Sequence, residues 1–350
     1  MKALFLYPSE MRTEYEDVKK GLRPTDRMYG LVELANAGFE VEFNDDRFLG
    51  KYGELTRWFR KYGIFLYDLK TLLSIHKYDI IIAKDNFSTQ LSIYCKLFNK
   101  PLIYVDALFL MPNMYIKKKF FYPLNFKLAK GIVVYSNTQK HLWEKVYKTS
   151  YGKLKYLPYS IDADFYKFRD NSSYSSSHSE DYILSVGRDP GRDFQTLLAA
   201  AEKTGVKVKL ITTPRNVPGD YQDADFVTIY NNLSYDELFD LYKRAKLVVI
   251  PLKSDISYPS GIRGVLEALS LGMPTIIGDT PVMNEFFHEG EVVTYEPGNT
   301  EDLISKINEY FNNNKKLDSL SENARNAIAA RFDLKKNIQL YIDYFREIIK

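Results

Sequence analysis

Long apolar runs are missing from this sequence. No uninterrupted stretch approaches the roughly 20 residues that span a bilayer, and Met1-Lys2-Ala3 leads straight into a short strand-like run where a secretory leader would place its apolar region. The chain is therefore expected to stay on the cytoplasmic side. Cysteine is nearly absent too. The single Cys95 cannot form an internal disulfide, and its setting, LSIYCKLF, is one in which a free thiol behaves as a small buried hydrophobe. The histidines His76, His141, His178 and His288 are scattered without ligand spacing, and no convincing Asp-X-Asp loop accompanies them, so no metal centre is expected. A serine-hydrolase elbow and a lysine-containing phosphate loop are also lacking. No cofactor and no nucleic-acid partner are expected.

What is present is an ordinary globular composition, 45% hydrophobic and 27% charged, over 350 residues. That length suits two domains of roughly 150 residues each. Net charge is only +3, but residues 1–160 hold 26 Lys/Arg against 16 Asp/Glu and the remainder holds 22 against 29. A basic first half followed by an acidic second half suggests that the former meets something anionic, a membrane surface or a phosphate-bearing acceptor; solvated lysine faces are the plainer reading.

Short apolar runs alternate with amphipathic stretches. Ala3 to Tyr7, Phe39 to Phe43, Asp79 to Ala83, Pro101 to Val105 and Gly131 to Tyr135 read as strands, separated by helical patterns at Met28 to Ala37, Thr89 to Phe98 and Thr138 to Lys148. Continuously apolar strands joined by helices predict a parallel sheet covered on both faces. A serine-rich stretch from Asn171 to Glu180 has almost no apolar content, and residues 161–180 are expected to be a linker. The alternation then restarts with strands at Tyr182 to Val186, Val206 to Thr212, Phe226 to Ile229, Leu247 to Pro251, Thr275 to Gly278 and Val292 to Tyr295. Two doubly wound domains are predicted, 1–160 and 181–334. The final stretch, 335–350, has apolar residues at helical spacing; with no strand after it, its sticky face must dock on an existing surface, and the first domain is the candidate.

The most informative run is Ser257-Tyr-Pro-Ser-Gly-Ile-Arg-Gly-Val-Leu-Glu-Ala-Leu-Ser-Leu-Gly272. Ser260 and Gly261 stand where a helix begins, with Ile262 and Arg263 in its first turn. Free amide groups and the positive end of the helix dipole make such a place an anion site. Gly261 lets backbone approach a phosphate closely, Ser260 carries a hydroxyl donor and Arg263 adds charge. Glu267 lies about two turns along, where a carboxylate can accept from both ribose hydroxyls while phosphates rest on the helix start. Alone, each has a plainer meaning: an ordinary serine cap, and a glutamate on a solvated face.

The three runs YLPYSIDADFYKF at 156–168, YILSVGRDPGRDFQTLLAA at 182–200 and GVLEALSLGMPTIIGD at 264–279, in this order and at these separations, resemble the retaining glycosyltransferases of family 4, group 1 glycosyl transferases of the GT-B superfamily. The resemblance implies two Rossmann-like domains, a UDP- or GDP-sugar donor bound by the second, and metal-independent transfer with retention to a glycan or lipid-linked acceptor. Residue by residue it implies that Glu267 binds the donor ribose and that Arg188, after Gly187, grips the diphosphate together with Arg192, which replaces the usual lysine. The base is expected against loop backbone between Thr228 and Asn232, around Asn231.

Departures from the family pattern accompany the match. Pro259 stands where a second glutamate usually contacts the donor sugar, and Asp255 is the candidate substitute. The loop from Pro8 to Asp26 is long and charged where relatives carry glycines, and Arg27 after it is a further cleft candidate. Asp106, following Tyr104-Val105, takes the place of a histidine and is a candidate catalytic residue at the end of a parallel strand; Asp85 has a similar position. Two rivals share the architecture: a nucleotide-sugar epimerase, and a non-catalytic nucleotide-sugar-binding subunit that Pro259 makes credible. Finally, Lys117, Lys118 and Lys119 adjoin Phe120 and Phe121. Basic residues beside bulky aromatics suit an anionic membrane interface, the alternative being phenylalanines in a core with lysines facing water.

Overall fold

A computed structural model describes residues 1–8, 10–44, 73–84, 88–106, 118–148, 152–169, 174, 176, 177 and 179–349. The chain divides into two compact units, Met1–Tyr159 with Lys335–Lys350, and Ser160–Leu334.

The first unit runs β1 (Lys2–Leu6), α1 (Arg12–Lys19), α2 (Leu31–Asn36), β2 (Glu40–Asn44), β3 (Ile80–Lys84), α3 (Thr89–Leu97), β4 (Leu102–Val105), α4 (Lys118–Leu128), β5 (Gly131–Val134), α5 (Asn137–Val146) and β6 (Leu154–Tyr156). Its strands are all parallel, in the order β2-β1-β3-β4-β5-β6. IIIAK, LIYV and GIVV form the middle of this sheet because both faces are covered, and strands buried on two sides carry no alternation. Ser88 and Ser136 start α3 and α5, each hydroxyl accepting an amide three residues on at 3.1 Å.

The second unit runs α6 (Ala163–Arg169), β7 (Glu180–Val186), α7 (Phe194–Thr204), β8 (Lys207–Ile211), β9 (Val227–Tyr230), α8 (Tyr235–Arg244), β10 (Ala245–Ile250), α9 (Ile262–Ser270), β11 (Thr275–Gly278), β12 (Val293–Tyr295), α10 (Thr300–Tyr310) and α11 (Asn314–Ala327). Its parallel sheet has the order β12-β11-β10-β7-β8-β9. From β7 the chain moves outward through β8 and β9, then returns to place β10 on the other flank of β7. The order thus reverses between β7 and β10, and ligands of open parallel sheets settle in the crevice at such a reversal, beyond the strands' carboxyl ends.

The last helix, α12 (Leu334–Ile349), packs within the first unit. Phe345 is wholly buried, and the Tyr341 hydroxyl donates to the Pro158 carbonyl at 3.0 Å. β5 opens on glycine for this reason, since a Cβ on Gly131 would lie 1.9 Å from the Tyr344 hydroxyl.

Four elements differ from what periodicity predicts. The charged segment expected to be loop between Pro8 and Asp26 contains α1, whose only buried side chain is Val18, so no apolar stripe announces it. The helix expected from Met28 is broken, because Tyr29 and Gly30 are both left-handed, at φ 53° and 94°. Residues 161–180 are not simply a linker: α6 fills 163–169, Tyr166 is 1% exposed and Ser176 is buried. Strand β6 is three residues long with one of them buried, too short for a pattern. Asp85 and Lys117 lie outside the described residues, as do the side chains of Lys118, Lys119, Phe120 and Phe121, whose backbone forms the first turn of α4. Among the described residues no helix is long and apolar enough to cross a membrane.

Candidate functional site

The carboxyl ends of β7 and β10 in the second unit hold the candidate site. β7 stops at Val186, and Gly187, with φ 157°, turns the chain into the loop before α7. β10 stops at Ile250, and its loop returns to the start of α9 at Gly261. The two loops are tied together by backbone: Asp193 N donates to Pro251 O at 3.2 Å and Lys253 N to Gly191 O at 3.0 Å.

Arg192 lies across this junction. It is 7% exposed, its Nη2 donates to the Val186 carbonyl at 2.8 Å, and Nε is 3.3 Å from Asp189 Oδ2 without hydrogen-bond geometry. Nη1 is buried with no protein partner. The guanidinium fits because its neighbours have no side chains. A Cβ on Gly187 would come 2.0 Å from Nε, and one on Gly261 would come 2.2 Å from Nη1. Gly261 also has φ 81°, in the left-handed region. Gly261→Ala is accordingly expected to cost about 2 kcal/mol from backbone strain alone. In a unit of this size that lowers the melting temperature by roughly 4 to 8 °C, and an unchanged melting curve would contradict this packing.

Asp189, which the sequence reading passed over, organises the loop. Its Oδ1 accepts from Gly191 N at 3.0 Å and from the Ser260 hydroxyl, so Ser260, expected as a phosphate donor, here spends its proton on Asp189. The only sequence signal for Asp189 is its place between Arg188 and Arg192. No side chain caps the first turn of α9, whose amide end therefore keeps the partial positive charge of a helix start.

Glu267 is not on a solvated face. α9 is buried nearly all round, and Glu267 itself is 6% exposed. Its Oε1 accepts from Arg263 Nε at 3.1 Å, one turn back, and from the Tyr166 hydroxyl at 3.2 Å. Arg263, expected to add charge at the anion site, is thus paired with the carboxylate. Tyr166 was also missed; it comes from α6, where Phe165 and Tyr166 pack edge-on against Tyr235 and Phe239 of α8. Losing a phenol that holds a buried charge removes about 1.5 to 3 kcal/mol. Tyr166→Phe is therefore expected to lower the unit's stability while leaving the Arg263 contact, a loss readable by urea titration.

Arg188 stands apart as the exposed cation of the set. Its Nη2 donates to Asn231 Oδ1 at 3.0 Å and lies 3.4 Å from Asn232 Oδ1, which joins the end of β7 to the end of β9. Asn216 Nδ2 donates to the Arg188 carbonyl at 3.2 Å. Gly187, Arg188, Arg192, Asn231, Ser260, Gly261, Ile262, Arg263 and Glu267 are thus gathered on one edge of one sheet. Pro259 is buried beside them and Asp255 is exposed.

Asp106 belongs to the first unit. It follows β4 with φ 56°, is 4% exposed, and its Oδ2 lies 3.6 Å from Lys84 Nζ at the end of β3; that ammonium also stands 4.1 Å over the Tyr29 ring. Arg27 pairs with Glu14 of α1.

Residues 220–327 match the family model described as glycosyl transferases group 1. No curated protein matches the sequence. Among solved structures, the chain is similar to the Anabaena protein HepE in complex with UDP and glucose, with a TM-score of 0.70 and 18% identity over 99% of each chain. It is also similar to a sucrose-phosphate synthase from Thermosynechococcus elongatus, TM-score 0.71, 14% identity, 99% of each chain. A glycosyltransferase from Rickettsia africae aligns at TM-score 0.67 and 15% identity over 100% of this chain and 98% of its own. The class is thereby set: the protein has the GT-B fold. Its second unit carries the group 1 glycosyl transferase match, which spans α9 and Glu267.

Proposed function

We propose that this protein transfers a sugar from a nucleotide-sugar donor to a glycan or lipid-linked acceptor, with retention and without a metal. The single observation that carries the reading is Arg192. A guanidinium that is nine-tenths buried, with Nη1 unpartnered and two glycines clearing its surroundings, lies at the sheet's reversal point. As the bond from the sugar to the diphosphate breaks, its electron pair goes to a terminal phosphate oxygen. Fixed cations and a helix start stabilise that charge without rearranging. Arg192, Arg188 and the α9 amide end fill this role, and Glu267, with Gly187, Asn231, Ser260, Gly261, Ile262 and Arg263 around it, holds the rest of the donor. HepE binds UDP and UDP-glucose, which favours uridine over guanosine here. Asp106, at the end of β4 beside Lys84, is the first unit's proposed catalytic residue. The cytoplasmic face of an anionic membrane is the proposed workplace, with Lys117, Lys118, Lys119, Phe120 and Phe121 near it.

Thermal unfolding with UDP, GDP and their sugars tests the donor assignment. A ligand at about 100 times its Kd adds roughly 2.7 kcal/mol, and no response to any nucleotide sugar would sink the reading. Product release followed by proton NMR of the anomeric centre, with chelator present, tests retention and metal independence. Pro259 at the family's sugar-contacting position favours one rival, a binding subunit, which predicts nucleotide-sugar binding without any transferred product.

A further inference from the structure

Among the described residues, exposed large apolar side chains are unevenly placed. None lies between Ser160 and Leu334, whereas Ile93, Leu97, Phe98, Leu124, Leu142 and Val146 stand out from three helices of the first unit. Those helices are neighbours. Asn125 of α4 donates to Thr89 of α3 at 3.2 Å, and Phe126 of α4 packs against Trp143 and Tyr147 at the end of α5. Their inner faces are already satisfied by the core, with Leu91, Cys95, Tyr122, Phe126 and Trp143 buried. The exposed residues are therefore not core side chains that failed to reach it. Leu97 is 74% exposed and Val146 53%, each one turn beyond another exposed residue, Ile93 and Leu142. Single exposed leucines need no explanation; six on one face do.

The charge of this stretch is strongly basic. From Thr89 to Lys153 the chain holds eleven lysines and two acids, Asp106 and Glu144. Because strands and helices alternate in a parallel sheet, the carboxyl ends of α3, α4 and α5 share the edge at which β4, β5 and β6 begin. Lys96, Lys100, Lys127, Lys130, Lys145 and Lys148 all fall there. Lysines at helix ends are favoured by the dipole, but these crowd one another. Lys153, whose Nζ donates to the Ala129 carbonyl at 3.1 Å, has its pKa lowered by burial and then by the nearby charges of Lys130 and Lys96.

We propose that the carboxyl ends of α3, α4 and α5 form a docking face for an anionic lipid bilayer. Leu97, Phe98 and Val146 enter the headgroup boundary, and Lys96, Lys130 and Lys145 meet lipid phosphates. Long lysine stems suit this arrangement because they lie along apolar surface while their ammonium groups reach the charge. A second copy of the chain is the poorer occupant, since an isologous pairing sets the same lysines against each other. The face lies on the edge opposite the strands' carboxyl ends, where Lys84 and Asp106 sit, so docking leaves that edge of the unit open. The inference goes beyond the membrane contact named above, because this face lies at the opposite end of α4 from the first turn that holds Lys118 and Phe121. It stands without the donor site, because the test needs no nucleotide.

The test is co-sedimentation of the full chain with vesicles of phosphatidylcholine, alone or mixed with phosphatidylglycerol. Binding to the mixed vesicles at low salt, lost as salt shortens the Debye length, is the expected result. The triple variant K96E/K130E/K145E should bind on the order of a hundredfold more weakly. Leu97→Ser with Phe98→Ser should lower partition about tenfold at fixed salt. All five positions are exposed, so melting temperature and UDP affinity, measured in parallel, should match wild type. Loss of UDP binding in wild type would strike the transfer reading and leave this one standing. Wild-type protein that ignores mixed vesicles at low salt, or both variants binding like wild type, overturns the proposal. A concentration-dependent dimer abolished by the Leu97/Phe98 variant, without vesicle binding, gives the face to a second copy and overturns it too.

Discussion

Arg192→Ala is expected to lower turnover of a nucleotide sugar by about a hundred- to a thousandfold, the loss seen when one preorganised donor to a developing oxyanion is removed. Two of its nitrogens, Nε and Nη1, make no hydrogen bond within the protein, although the residue is 7% exposed. Leaving such donors bare is costly, and a diphosphate oxygen arriving beside Gly261 would relieve that cost most where its charge is greatest, in the transition state. Arg192 also neutralises Asp189 and holds the Val186 carbonyl, so alanine has a structural consequence as well. Arg192→Lys separates the two. It restores a cation in a shorter, single-headed form, and turnover should recover in part while the Val186 contact stays broken. Measured kcat, KM and melting temperature decide between the roles. Alanine and lysine variants equally depressed in melting temperature, with unchanged kcat in the surviving fraction, would make Arg192 a structural tie.

Glu267→Gln should weaken UDP binding by roughly tenfold, since it replaces charge-assisted hydrogen bonds to a ribose, worth about 1.5 to 3 kcal/mol, with neutral ones worth about 0.5 to 1.5 kcal/mol. Glutamine keeps the size, so the buried helix need not repack. The sharper readout is the 2′-deoxy nucleotide. Wild-type protein should prefer UDP over 2′-deoxy-UDP, and the preference should shrink in the variant, because the two changes remove the same contact and are not additive. Calorimetry on the four combinations completes the cycle. Equal affinity of the wild type for both nucleotides would confine Glu267 to its pairing with Arg263 and Tyr166.

How the chemistry is held was legible only in part. Ser260 and Gly261 before an apolar helix announce a helix start, and Arg188 and Arg192 after an apolar strand announce a strand-to-helix loop, because caps and periodicity are local properties of the chain. Asp189 and Tyr166 carried no such mark. Asp189 matters through Ser260, 71 positions away, and Tyr166 through Glu267, 101 positions away. Neither partner is in reach until the sheet is assembled. Charge was misleading for the same reason: Arg263 reads as a free cation in the sequence, yet the helical repeat sets it one turn from Glu267 and the pair closes on itself.

From the sequence by itself came the two parallel sheets, since strands such as IIIAK, LVVI and TIIG are apolar without alternation and only burial on both faces suits them. The loops at their carboxyl ends followed, because Gly, Ser and Asp punctuate them. Tertiary structure alone decided that Gly131 exists to admit Tyr344 and that Arg192 is buried between Gly187 and Gly261. It also gathered six exposed apolar residues on one face and set a row of lysines along its edge. These depend on which surfaces meet after the strands have paired, and periodicity carries information about a residue's neighbours along the chain, not across it.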